Sequence, residues 1–485
     1  MLKETEILKF IQDDRISKRK KLASVGSRYY EGEHDIKDYR MFYFNSDGEL
    51  VEDTTRSNIR ISHPFFTELV DQAVQYMLSN KDGVYVRSDD PALQSKLDEY
   101  CDEEFTAELA ELLKNTFVCG FAYMYAYMGE DERLHFISAD TMGVVEVRGK
   151  DADDGLPHVI YWYTERVPKS DKTIMRVEVW DTKNVWFYVK EDDKDLTLDL
   201  TEKQNPRPHV IYHKDGDPST YYDEFGFIPF FRLDYNRKQI SAVKSIKDLI
   251  DDYDLMSCGL SNNIQDFDFP LYVVKGFQGD NLDELQQNLK TKKLIGTDGS
   301  GGVESHTIDI PYQARQMKME EDEKNIYRFG MGFNSSQIGD GNITNIVIKS
   351  RYALLDLKCN KLEIQLKRFL KQIIKVILQE INKKDGTDYK ESDIWFDFTR
   401  EIMTNASDNA QIEKTDAEKQ QVQINTLLSL MQYIGDENAI KMICDVLDID
   451  YEDIKSSLPD PEERAEDTDD VIDALDEVGD TGEVI

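Results

Sequence analysis

Histidine and cysteine are the first side chains to test for chemistry, and here they are few and scattered. His209 and His213 stand four apart, a spacing that brings two imidazoles to one face only on a helix. Pro206, Pro208 and the alternation around them point to a strand, so the pair reads as core or solvated histidines rather than metal ligands. Cys101, Cys119, Cys258, Cys359 and Cys444 contain no CxxC pair, so neither a zinc site nor a disulfide framework is indicated, and reduced thiols are expected. Asn45-Ser-Asp-Gly48 resembles part of a calcium loop, but Tyr43 occupies the place of its first acid. No Walker A pattern, dinucleotide fingerprint, HExxH helix or GxSxG elbow occurs. The seven histidines add no constellation, and with 96 Asp and Glu among 485 residues chance carboxylate pairs carry no meaning. No catalytic residue, metal or cofactor is expected. The pattern favours a structural machine part; the alternatives are a metal-dependent nuclease built from acidic residues and a different interaction scaffold.

Charge narrows the partners. The formal charge of −37 argues against general nucleic-acid affinity, which needs clustered Lys and Arg. Lys18-Arg-Lys-Lys21 reads as a solvated helix face. Phe121 to Met128 alternates aromatic and small residues without interleaved basic ones, so it reads as a packed sheet face rather than a base-stacking platform. One segment breaks the acidic trend: Ile346 to Lys384 holds ten basic residues and three acidic ones, net +7. Lys358, Lys361, Lys367 and Lys371 belong to it, and pairing with acidic protein surface explains it better than DNA binding does. The start, Met-Leu-Lys-Glu-Thr-Glu, lacks a signal-peptide core, and no apolar run approaches the ~18 residues of a membrane span.

The elements that position these residues follow from periodicity. Residues 2–24 have helical spacing, ended by a turn at Gly32. A helix begins at His63-Pro64 and carries Phe65, Leu69, Ala73, Tyr76 and Met77. Helices are expected over 93–100 and 107–117. Strands are expected over 84–86 and 121–128, then over 144–147, 159–163, 175–180, 185–189 and 209–212. After a boundary at Gly226 to Phe231, residues 239–265 read as one helix of about 40 Å, with Asp248, Asp251, Asp252 and Asp254 as a solubilising face. Residues 267–311 read as a small βαββ module: strand 271–275, helix 282–289, strand 292–295, turn 297–302, strand 303–310. Helix 314–329 leaves it, which suggests a head on a two-helix stalk. Arg328-Phe-Gly-Met-Gly-Phe333 ends that helix with two glycines. A polar loop, 334–345, precedes a long helix, 346–381, with the stripe Leu355, Leu362, Leu366, Phe369, Ile373 and Ile377. A strand at 393–398 and helices over 410–455 follow. Pro459 to Ile485, with twelve acids, one arginine and no aromatics, is expected to be disordered.

Four blocks in this order resemble the portal, or head–tail connector, proteins of tailed bacteriophages, in particular siphophages of Gram-positive hosts. They are Tyr29-Tyr-Glu-Gly-Glu-His-Asp-Ile36; Ser57 to Leu78 followed by Cys119-Gly-Phe-Ala-Tyr123; Gly226-Phe-Ile-Pro-Phe230 through Asp248 to Asp254, Ser261 to Asp266 and Val274-Lys-Gly276; and the glycine loop with the long helix at 330–381. Together they span about residues 25 to 400. The resemblance implies an α+β phage portal fold: wing, 1–235; stem helix, 236–265; clip, 266–311; second stem helix, 312–332; tunnel loop, 333–345; long wing helix and strand, 346–400; helical crown, 401–458; acidic tail, 459–485. It implies a ring of about twelve copies at one capsid vertex, a conduit for double-stranded DNA during packaging and ejection, and no catalysis. Implied partners are the terminase large subunit, a head-completion or adaptor protein, and the major capsid and scaffolding proteins, with no membrane; the implied location is the virion, after assembly in the host cytoplasm. Ser336, Gln337, Ile338, Asn342 and Asn345 would then face DNA. Lys358, Lys361, Lys367 and Lys371 would meet a neighbouring subunit, and Asp280, Asn281, Lys292 and Lys293 would dock partners.

Overall fold

The computed structural model describes residues 2–80, 85–149, 155–167, 172–191, 194–213, 220–267, 271–277, 297–306, 311–334, 345–400, 406–447 and 451. The chain divides into two compact units, Met1–Asp340 with Lys349–Ile402, and Gly341–Ile348 with Met403–Ile485.

The first periodic stretch forms two helices, α1 (Glu4–Arg15) and α2 (Lys18–Tyr30). Ser17 separates them because its hydroxyl accepts the Lys20 amide and so starts a new helix. Lys20 is not on a solvated face. It is buried, and its ammonium donates to the carbonyls of Thr141 (2.5 Å), Val144 (2.9 Å) and Met142 (3.1 Å), with Asp14 at 3.2 Å. A buried cation persists because each of its protons has an acceptor. The hairpin β1 (Phe42–Phe44) and β2 (Leu50–Glu52) follows, its side chains exposed.

Next come α3 (Phe65–Met77), β3 (Val86–Arg87), α4 (Pro91–Tyr100) and α5 (Glu103–Cys119). The Asp102 carboxylate caps α5 at the Phe105 amide, 2.9 Å, and Gly120 ends it at φ +88°. A Cβ on Gly120 would lie 2.5 Å from the Ile240 carbonyl carbon, so both the backbone angle and the close approach require glycine.

The β-rich region contains β4 (Phe121–Met128), β5 (Leu134–Ala139), β6 (Val144–Val147), β7 (His158–Arg166), β8 (Thr173–Trp180), β9 (Asn184–Glu191), β10 (Thr197–Leu198), β11 (Arg207–Pro208), β12 (Val210–His213), β13 (Thr220–Asp223) and β14 (Phe230–Asp234). One antiparallel sheet has the order β10-β9-β8-β7-β6, with β11 beside β9; a second has the order β14-β4-β5. The larger sheet packs on both faces. Val145, Val147, Ile160, Val177, Val179 and Tyr188 close over Ile7 and Ile11 of α1 as a small separate core. The opposite face turns Tyr161 and Trp180 toward β4 and β14, with Trp180 5.6 Å from Tyr125 and 5.9 Å from Phe230 between ring centres.

The helix expected from Gln239 begins eight residues later, as α6 (Lys247–Phe267). Gln239 has φ +54°, and Ser241 caps a short 3-10 turn, Ala242–Ser245, so helical spacing at Ile240, Val243 and Ile246 marks core contacts rather than one continuous helix. Strands β15 (Leu271–Phe277) and β16 (Thr297–His306) pair antiparallel; Thr297 to Gly302, read as a turn, belongs to β16, with Gly302 opposite Lys275. Helix 282–289 and strand 292–295 lie outside the described residues. Helix α7 (Tyr312–Gly330) packs antiparallel on α6: Lys318 meets Asp252 at 2.6 Å and Arg315 donates to the Met256 carbonyl at 3.4 Å.

Helix α8 (Asn345–Asp385) is the longest described, and its Leu355, Leu362, Leu366, Phe369, Ile373 and Ile377 are buried in the main core with residues of α3, α5 and β4. Of the strand expected at 393–398, only β17 (Trp395–Phe396) pairs, with β3. In the second unit α9 (Ala406–Ile434) and α10 (Asp436–Leu447) are separated by Gly435 at φ +81°. The acidic segment 459–485 lies outside the described residues. The fold is α+β.

Candidate functional site

Two arrangements organise the middle of the first unit. The first is a clamp where α7 ends. Met331 is in the left-handed region at φ +55°, and Gly332 donates back to the Tyr327 carbonyl at 3.0 Å, closing the helix. Gly330 and Gly332 press on α3: a Cβ would lie 2.6 Å from Leu69 Cδ1 at Gly330 and 2.0 Å from Leu69 Cδ2 at Gly332. Gln72 of α3 then pairs with the next residue as a strand would, accepting the Phe333 amide at 3.0 Å and donating to its carbonyl at 2.8 Å. The Phe333 ring stacks on Tyr352 of α8 at 4.7 Å, and Asn334 donates to Glu323 at 3.1 Å. The chain is therefore gripped by α3, α7 and α8 up to the residue where the polar loop begins.

Lys358 completes the clamp. It is 4% exposed, and its ammonium donates to the carbonyls of Gly330 (3.1 Å) and Leu69 (3.2 Å) while lying 5.1 Å over the Phe117 ring. Burial lowers its pKa to about 8. This corrects the expectation that Lys358 meets a neighbouring subunit: its charge is spent inside its own chain.

The second arrangement fixes the root of α6. Asp254 is fully buried; its two oxygens accept from His34 Nδ1 and His63 Nδ1, each at 2.7 Å, and the His63 amide donates to it at 3.0 Å. The other nitrogen of His34 faces the Tyr29 carbonyl at 3.2 Å, and its ring stacks on Tyr29 at 4.5 Å. Burial alone would raise the Asp254 carboxyl; the bonds from His34 and His63 outweigh it and hold the group below its usual range. One turn earlier Tyr29 donates to Asp251, and Lys247 bridges Asp251 and Asp35 at 2.6 Å each. So Asp254 and Asp251 are not a solubilising face, and the histidines do form a constellation. Each imidazole is turned onto a different oxygen of Asp254 rather than toward a shared point, and among the described residues no group of three His, Cys, Asp or Glu could hold a metal.

The remaining expected residues divide clearly. Ser336, Gln337, Ile338, Asn342, Asp280, Asn281, Lys292 and Lys293 lie outside the described residues, and Asn345 is the first residue of α8. Lys361, Lys367 and Lys371 are exposed on α8, Lys367 held at 2.7 Å by Glu363. They share one helix face with the exposed Leu354, Leu357 and Ile364. No described helix is long and apolar enough to cross a membrane.

Comparison with known proteins gives the family. The family model described as phage portal protein, SPP1 Gp6-like, matches residues 8–456. The chain is 26% identical over 389 residues to a portal protein of Bacillus phage SPP1, covering 80% of this chain and 75% of the relative. It is 25% identical over 428 residues to a portal protein of Clostridium phage phiCD119, covering 84% and 89%. A solved structure of the neck of an empty GTA particle, computed with C6 symmetry, matches with TM-score 0.40 and 12% identity over 77% of this chain and 87% of that one. The chain belongs to the phage portal protein family. It is a head–tail connector component of the virion, a structural part rather than an enzyme.

Proposed function

We propose that the chain forms a closed ring of about twelve copies at one capsid vertex, through which double-stranded DNA enters during packaging and leaves during ejection. The observation that carries this reading is the clamp on Gly330, Gly332 and Phe333: three helices hold the chain rigidly up to the start of a polar, glycine-bearing segment. Such an anchor suits a loop that must touch a passing polymer without pulling its support apart. In this reading 1–235 and 346–400 are the wing, 236–265 and 312–332 the stem, 266–311 the clip, 333–345 the tunnel loop, 401–458 the crown and 459–485 an acidic tail. The antiparallel pairing of α6 and α7 around the β15–β16 ribbon supports the stem and clip assignment.

The net charge of −37 supports a conduit rather than a binder, since each firm phosphate contact would add a salt-sensitive holding term. Ser336, Gln337, Ile338, Asn342 and Asn345 are the loop positions assigned to DNA. Asp280, Asn281, Lys292 and Lys293 are assigned to docking the terminase large subunit during packaging and a head-completion protein afterwards. Major capsid and scaffolding proteins are the remaining partners, met in the host cytoplasm during assembly. Electron microscopy of the purified chain tests the ring: particles with a central hole are expected, and a strictly monomeric species at all concentrations and salts would overturn it. Deleting 336–343 tests the loop. Rings should persist while DNA packaging fails, and normal packaging by the deletion would remove the loop's role.

A further inference from the structure

We propose that the cavity between the two sheets of the β-rich region is a binding site for a guanidinium group, the arginine side chain of a partner polypeptide. The cavity has a volume of about 330 Å³ and is walled by Tyr125, Tyr161, Tyr163 and Phe230, with Glu178 among its lining residues. That volume is in the range of side-chain and ligand pockets, about 300–1,000 Å³.

Its chemistry is selective. The rings of Tyr125 and Phe230 lie 5.1 Å apart and those of Tyr161 and Phe230 5.8 Å, so three aromatic residues from three strands converge on one space. Tyr163 adds a fourth ring 5.6 Å from Tyr161. Aromatic faces attract cations, and planar guanidinium stacks on them while an ammonium does not. Glu178 stands directly across the β7–β8 ladder from Tyr161, so its carboxylate shares the aromatic face. Trp180 Nε1 donates to Glu178 Oε2 at 3.0 Å, and Tyr163 bonds the same carboxylate. Two fixed donors orient the group and leave its other lone pairs for an incoming fork of N–H donors.

Of the cations nearby within the chain, Arg176 is paired with other acids and Arg207 acts on Glu178 through its charge. Arg176 pairs with Glu165 at 2.5 Å and Asp199 at 2.7 Å. Arg207 lies 4.5 Å over the Phe187 ring, with Glu202 at 3.6 Å. Neither lines the cavity. Burial pushes the Glu178 carboxyl above its ordinary value and outweighs the bonds from Trp180 and Tyr163 and the charge of Arg207, so a cation from outside would stabilise the carboxylate further.

Calorimetric titration of the assembled full-length protein tests this with N-acetyl-arginine amide, its neutral isostere N-acetyl-citrulline amide, and N-acetyl-lysine amide. Arginine should bind at least about tenfold more tightly than citrulline and more tightly than lysine. Glu178→Gln should weaken arginine about tenfold while raising Tm, because it keeps an acceptor for Trp180 and removes a half-buried charge. Tyr161→Leu, which keeps volume and removes a π face, should weaken arginine several-fold. Equal binding of arginine and citrulline, tighter binding of lysine, no arginine binding up to tens of millimolar, or a Glu178→Gln variant with unchanged affinity would each overturn the assignment. A lower Tm for Glu178→Gln with unchanged affinity would make Glu178 a purely structural residue.

Discussion

The ammonium of Lys358 donates to the carbonyl of Gly330 from 3.1 Å away, so a residue in the first half of α8 closes the end of α7. The contact is buried, and its titration is readable. Burial lowers Lys358 to about 8 from an ordinary 10.5. Between those values the unfolded chain binds more protons than the folded one, so this residue makes stability rise with pH, by about 3 kcal/mol across the window. Urea unfolding at a series of pH values should show that rise in the parent and not in Lys358→Met. Parallel profiles for the two proteins would refute it.

Gly332→Ala should destabilise by about 1–3 kcal/mol, because its Cβ would lie 2.0 Å from a buried Leu69 methyl. The test is a double-mutant cycle with Leu69→Ala. The glycine substitution should cost far less in the truncated background, giving a coupling energy of about 1 kcal/mol or more. Strict additivity would place the strain elsewhere.

Asp254→Asn should cost about 3–5 kcal/mol, since it leaves His34 and His63 without their carboxylate in a buried site. The pH dependence has a definite sign. Asp254 is depressed when folded, so its contribution is present above the unfolded aspartate pKa and fades as pH falls through the folded one. Acid unfolding followed by circular dichroism should lose part of its steepness in Asp254→Asn; an unchanged acid limb would contradict the pairing.

Reversing Lys361, Lys367 and Lys371 together to Glu should reduce ring formation at least about tenfold at low salt, the change expected when several exposed ion pairs become repulsive. Light scattering after size exclusion reads the result. Lys358 is left out because its charge lies inside the chain. Unchanged assembly would assign this face to something other than a subunit contact.

The order of elements was legible because each rests on local periodicity. The stripe from Leu355 to Ile377 defines α8 by itself, and the two glycines before Phe333 mark a helix end. What stayed hidden was long-range pairing. Asp254 sits in a run of four aspartates that looks like a solvated face, and its partners are 220 and 191 residues away in sequence. Residue type and charge run make Lys20 and Lys358 look like surface charges, yet each is buried because a particular set of backbone carbonyls turns toward it. Nothing in residue type or spacing reports where a distant carbonyl will point. The glycines offered a partial signal, since Gly330 and Gly332 around Met331 announce a close approach without naming Leu69.

Helix α8 is tied down twice. In its first half Lys358 holds Gly330; further on Glu380 accepts the Leu134 amide of β5 at 3.2 Å, and Lys383 pairs with Asp223 of β13 at 2.9 Å. From Lys358 to Glu380 the rod runs about 33 Å. A helix pinned at both points behaves as a lever. A tilt of about 5° at the glycine end shifts the β5 end by about 3 Å over that length, roughly the span of one hydrogen bond. A tilt of that size would therefore break or remake the bond between Glu380 and the Leu134 amide at the edge of the second sheet, without any helix having to unfold.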